Sequence, residues 1–66
     1  MSDDTHESYN VSVVIETDQA LLVRFEDSTE KWIPKSVIHV DSDVFEADSE
    51  GTLIVKRWFA EREGLP

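Results

Sequence analysis

Residues 9–34, "YNVSVVIETDQALLVRFEDSTEKWIP", decide how this chain folds. Val11, Val13 and Ile15 alternate with Asn10, Ser12, Val14 and Glu16. A period of two marks a strand with one face on the core. Leu21, Val23 and Phe25 repeat the period, with Ala20, Leu22 and Arg24 on the other side. Glu30 to Ile33 form a third short strand. Thr17 to Gln19 and Glu26 to Thr29 separate the three, and aspartate closes such turns through its own side chain. Strands joined by short polar turns predict an antiparallel meander.

Outward from this block, the chain divides into a flexible acidic tail over residues 1–8, which lack apolar periodicity, and one small β-rich domain over 9–66. Pro34 cannot donate to a ladder, so the third strand ends or bends there. Trp32 and Ile33 are read as core anchors, and "KSVI" (35–38) as one tight 3₁₀-like turn into a short extended piece. "DSDVFEADSE" (41–50) holds five acids and no base; it reads as an exposed loop with Phe45 turned inward. "GTLIV" (51–55) is a fourth strand. "KRWFAEREG" (56–64) suits a two-turn helix that Gly64 stops. Phe59 belongs to the helix's buried side; Trp58 adjoins it but remains open between core and surface.

A chain of 66 residues buries only about 60% of its unfolded surface, so its core is thin. It has no cysteine, hence no disulfide, which fits a cytoplasmic setting and points to a tight partner or a homodimer for support. The acidic start is unlike a signal peptide. The longest apolar run, "ALLV", is far from the roughly 20 residues that span a bilayer. The net charge is -9, and it is unevenly spread: residues 1–50 carry thirteen acids against three bases. Such a field repels nucleic acids and anionic membranes and speeds encounter with basic surfaces.

Catalytic chemistry is hard to assemble. His39 with Ser36 and Asp41 is the only local triad-like set, and all three come from one short stretch. The expectation is a protein that is not an enzyme. Asp41 and Asp43 open like a calcium loop, but Phe45, Glu46 and Thr52 stand where a ligand, the turn glycine and the closing glutamate belong. No metal and no cofactor is expected; Gly51 and Gly64 are too far apart to cradle phosphate.

Two resemblances attach to "EKWIPKSVI" (30–38). A strand, Ile33-Pro34, a one-turn corner and a short strand resemble the end of an SH3-like barrel, which implies a small barrel of four to five strands. The tyrosine row that recognises proline-rich peptides in SH3 domains is reduced here to Tyr9. Over residues 20–65, the Trp-Ile-Pro-Lys-Ser core (32–36) and the Gly-Thr-Leu strand entering a Trp-containing helix are similar to small uncharacterised proteins of phages and mobile elements. That family often has proline before the helix, where this chain has Lys56. The resemblance implies a phage setting, hence a host cytoplasm, and transfers no functional residues. In size, charge and setting the chain also resembles phage inhibitors of the anti-CRISPR and anti-restriction kind, which act as DNA mimics.

The leading expectation is a non-enzymatic module whose Glu26, Asp27, Glu30, Asp41, Asp43, Glu46, Asp48 and Glu50 engage a basic nucleic-acid-binding surface of a larger protein or nucleoprotein complex. The alternative is a nucleic-acid-binding accessory factor of phage replication or recombination, acting through Lys31, Trp32, Lys35, Arg57 and Trp58. The net charge opposes direct contact with nucleic acid.

Overall fold

The twelve-residue strand β1 (Thr5–Glu16) places everything else. It is followed by β2 (Ala20–Arg24), β3 (Glu30–Pro34), a 3₁₀ turn at Lys35–Val37, β4 (Glu50–Lys56) and the helix α1 (Arg57–Glu63). The computed structural model describes residues 4–66. Four antiparallel strands form one sheet in the order β3-β2-β1-β4. The chain is mainly β, with the meander that the alternation predicts and the short C-terminal helix expected of "KRWFAEREG".

One face of the sheet carries the core. Val11, Val13, Leu21, Val23, Ile33, Leu53 and Val55 point into it, and Val37, Val44, Phe59, Ala60 and Leu65 close it from the other side. Each of these side chains larger than alanine contributes about 1.5–3 kcal/mol on full burial, which is why a sheet with a single covered face can hold together. Gly64 ends α1 in the left-handed region at φ 67°. The amide of Leu65 then donates back to the Ala60 carbonyl at 3.0 Å, tucking Leu65 under the helix.

Several expectations need correction. Thr5–Ser8 are not part of a tail: they belong to β1 and pair with Leu53–Lys56. Met1–Asp3 lie outside the described residues. Backbone pairing leaves no apolar signature when the side chains are Thr, His, Glu and Ser. Ser8 is nonetheless buried, and its hydroxyl donates to the Pro66 carbonyl at 2.9 Å. Ile15 does not share the face of Val11 and Val13, because an irregularity between Val13 and Ile15 shifts the register. It lies opposite Leu22 on the open side and is 46% exposed. An extra residue in a strand reverses the face of the residues beyond it.

Trp32 is the cross-strand partner of Leu22, not of a core residue, and is 50% exposed. Ile33 takes the core position and Trp32 the opposite one, as alternation requires. Phe45 likewise stays exposed while Val44 is fully buried beside Ser42. The open question of Trp58 resolves toward the surface: it is 54% exposed and meets buried Phe59 edge-on at 6.0 Å.

The outer edge of β4 is covered by residues 38–43. His39 donates its amide to the Ile54 carbonyl at 2.7 Å and Asp43 to that of Thr52 at 2.8 Å. The Ser42 hydroxyl, buried, accepts from the Ile54 amide at 3.2 Å. Covering an edge in this way removes a template for aggregation. It also requires Gly51, whose φ is 137° and whose absent Cβ would lie 2.9 Å from that of Asp43. Gly64 has nothing within 4 Å. Gly51→Ala is therefore expected to cost about 2–3 kcal/mol and Gly64→Ala about 1 kcal/mol, as read from urea denaturation midpoints. Equal losses at the two positions would contradict the close packing of Asp43 on Gly51.

Candidate partner-binding surfaces

The 41–50 segment is exposed in its carboxylates and anchored through its backbone. Val13 donates to the Ser49 carbonyl at 2.9 Å, and Asp48 returns a bond to the Val13 carbonyl at 3.3 Å. Asp48 adopts φ 66°, a conformation that aspartate tolerates better than most residues. Glu16 draws the end of β1 to the same loop. Its carboxylate accepts from Lys35 Nζ at 2.8 Å and from the Ala47 amide at 3.2 Å. The Lys35 bond, then that of Ala47, holds the Glu16 carboxyl below the usual glutamate range.

The carboxylates predicted to meet a partner fall into three groups. Glu26 and Asp27 stand on the β2–β3 turn. The Thr29 amide, 3.0 Å from Asp27 Oδ1, holds that carboxyl below the usual aspartate range. Glu26 accepts from Asn10 Nδ2 at 3.1 Å. Asn10 in turn borders, with Glu50 and Gly51, a shallow hollow at the bulge of β1. Glu30 and Glu50 flank a row across the open face, Glu30–Arg24–Ser12–Glu50, since cross-strand partners share a face. Asp41, Asp43, Glu46 and Asp48 extend from that row along the covering segment. Asp43 is partly engaged, accepting from the Thr52 amide at 3.1 Å.

The cations are mostly engaged within the molecule. Arg24 meets Glu30 at 2.6 Å, Lys35 meets Glu16, Arg57 meets Asp4 at 2.6 Å, and Arg62 lies 3.8 Å from Glu63. Among the described residues, Glu26, Asp27, Asp43, Glu46, Asp48 and Glu50 have no cationic partner. Such exposed pairs contribute little to stability, but they decide which charges face outward.

The alternative nucleic-acid residues are scattered by comparison. Lys35 and Arg57 are held by carboxylates, and Lys31 is half-buried on β3. Trp32 and Trp58, however, border the same hollow of about 450 Å³ between β3 and α1, together with Pro34, Val37, Lys56 and Arg62. Lys56 and Trp58 also line an adjoining hollow of about 400 Å³ with Ile38, His39 and Val40. The sequence signal that could have located this groove is the parity of Trp32 against Ile33.

His39 Nδ1 accepts from the Asp41 amide at 3.1 Å, with the Asp41 carboxylate 3.7 Å away. Among the described residues no group of three His, Asp or Glu side chains is placed to hold a metal ion, and no helix is long and apolar enough to cross a membrane. Tyr9, on the bulge, donates to Glu7 Oε1 at 2.7 Å, and that carboxylate pushes its phenol above the ordinary value. Comparison of the chain with protein-family models, curated proteins and solved structures finds no match.

Because the Glu16 carboxyl is held below its unfolded value of 4.5, its contribution to stability is complete above that pH. It is lost as pH falls through the lower folded value. The stability gap between the wild type and Glu16→Gln should be wider at neutral pH than in acid below the lowered folded value. Urea midpoints at the two pH values check this; a gap that stays constant would mean that the ionised carboxylate does not hold the loop.

Proposed function

We propose that this chain is a non-enzymatic protein-binding module that presents fixed carboxylates to the basic, nucleic-acid-binding surface of a larger protein. The observation that carries the reading is the division of charge. Arg24, Lys35 and Arg57 are drawn into internal pairs, while six carboxylates of the β2–β3 turn and the 41–50 segment face solvent without a cationic partner among the described residues. Their backbone anchors fix the spacing, so a partner's Arg and Lys meet charges that need little ordering. Preorganised charge of this kind favours fast, salt-sensitive association.

The class of partner is taken from the resemblance to small phage proteins and to DNA-mimicking inhibitors of host defence complexes: a protein whose groove normally holds a phosphate backbone. The acidic surface then competes with nucleic acid for that groove. The test is a pull-down on host nucleic-acid-targeting complexes, followed by binding titrations across ionic strength with DNA as competitor. Affinity should fall steeply with salt, DNA should displace the chain, and the triple variant Glu46→Gln, Asp48→Asn, Glu50→Gln should bind at least about tenfold more weakly. Affinity indifferent to salt and to the triple variant would overturn the electrostatic reading.

A further inference from the structure

Among the described residues the outer edge of β3 is left open, and its Trp32 and Pro34 border a groove in which two cations, Lys56 and Arg62, stand with one acid, Glu63. Lys35 donates its amide to the Gln19 carbonyl at 2.8 Å, and Phe25 donates to that of Thr29 at 2.7 Å. With the register of β2 against β3, these bonds place the odd-numbered residues of β3 toward β2. Trp32, between them, turns its own N–H and C=O away from the sheet. Beyond it Pro34 offers a carbonyl and no donor. The hollow is also lined by Trp58, Arg62 and Glu63 of α1 and by Lys56.

We propose that the groove between the edge of β3 and α1 takes an extended peptide segment of a partner protein, one that carries an apolar side chain next to a carboxylate. The Trp32 backbone supplies a donor and an acceptor of the kind that an added strand pairs with. Trp32 and Trp58, each about half exposed, give the apolar side chain two aromatic walls. The carboxylate is matched by Lys56, which has no carboxylate partner among the described residues, and by Arg62, whose neighbour Glu63 is 3.8 Å away and which is itself largely exposed.

Charge selects among occupants. A nucleic-acid strand would carry its phosphates through the field of a chain with net charge -9, whereas one carboxylate is paired locally, within a screening length of about 8 Å. A second copy of the chain would bring the same net charge of -9 again. A short peptide with an isolated acid avoids both costs. This surface is distinct from the carboxylates of the turn and the 41–50 segment, so it recognises a different partner segment from theirs.

The test is selection from a displayed random-peptide library on the full chain, with Lys56→Glu as the counter-selection surface. Trp32 and Trp58 are the chain's two tryptophans, so emission reports binding directly. Selected peptides should share an apolar–acidic pattern and shift that emission. They should bind Lys56→Glu at least about tenfold more weakly, and lose affinity when alternate backbone amides are N-methylated. Far-UV circular dichroism of Lys56→Glu establishes that the variant is folded. No enrichment over the Lys56→Glu surface, or peptides indifferent to both Lys56→Glu and N-methylation, would overturn the proposal. Saturable quenching by oligothymidylate, where peptides give none, would assign the groove to single-stranded nucleic acid instead.

Discussion

A central strand longer than either of its neighbours constrains the whole molecule. β1 pairs with β2 over residues 12–16 and with β4 over residues 5–12, so each half of it has one side without a strand partner. An unpaired backbone in a buried setting costs about 1–3 kcal/mol per group, so the exposed halves must be satisfied elsewhere. On the upper half, Val13 exchanges bonds with Ser49 and Asp48. The acidic segment is therefore a replacement strand made of loop, and its charge is carried on a part that the sheet needs.

That arrangement explains the placement of several otherwise unrelated residues. Ser42 is buried because the segment that seals β4 must also satisfy the Ile54 amide. Gly51 is a glycine because Asp43 lies against it. Glu16 reaches both Lys35 and Ala47 because the end of β1, the corner after β3 and the covering loop converge there. The two surfaces proposed to meet partners sit on opposite outcomes of the same problem. One is the segment that covers an edge, and the other is the edge that no described residue covers.

Where side-chain chemistry and backbone parity coincide, the sequence is legible. Leu21, Val23 and Phe25 alternate without interruption and are all buried; Pro34 leads into the 3₁₀ turn; Gly64 stops the helix. Legibility fails at irregularities. The bulges of β1 have no composition of their own, so alternation groups Ile15 with the core although the register shift turns it outward. Size alone would draw Trp32 inward, yet Ile33 and Trp32 cannot share a face and the smaller residue is the one that fits. The polar start of β1 is invisible in the sequence because its order comes from β4, which lies more than forty residues later. For the candidate sites, the identity of the exposed acids is readable from composition. Their division into groups, and the gathering of Lys56, Arg62 and the tryptophans, depend on register and topology.

The way the 41–50 segment is fastened also bears on how such a protein can change over generations. Its attachment runs through main-chain bonds, the buried Val44, the hydroxyl of Ser42 and the Glu16 carboxylate on the Ala47 amide, while the side chains of Glu46 and Glu50 make no hydrogen bond or ion pair among the described residues. Changes of sign at those two positions break none of the bonds that fasten the segment. Asp48 can give way to asparagine or glycine, which accept its left-handed backbone, and Asp43 is tied to the Thr52 amide. Descendants of one ancestor could thus wear different electrostatic faces on an unchanged skeleton.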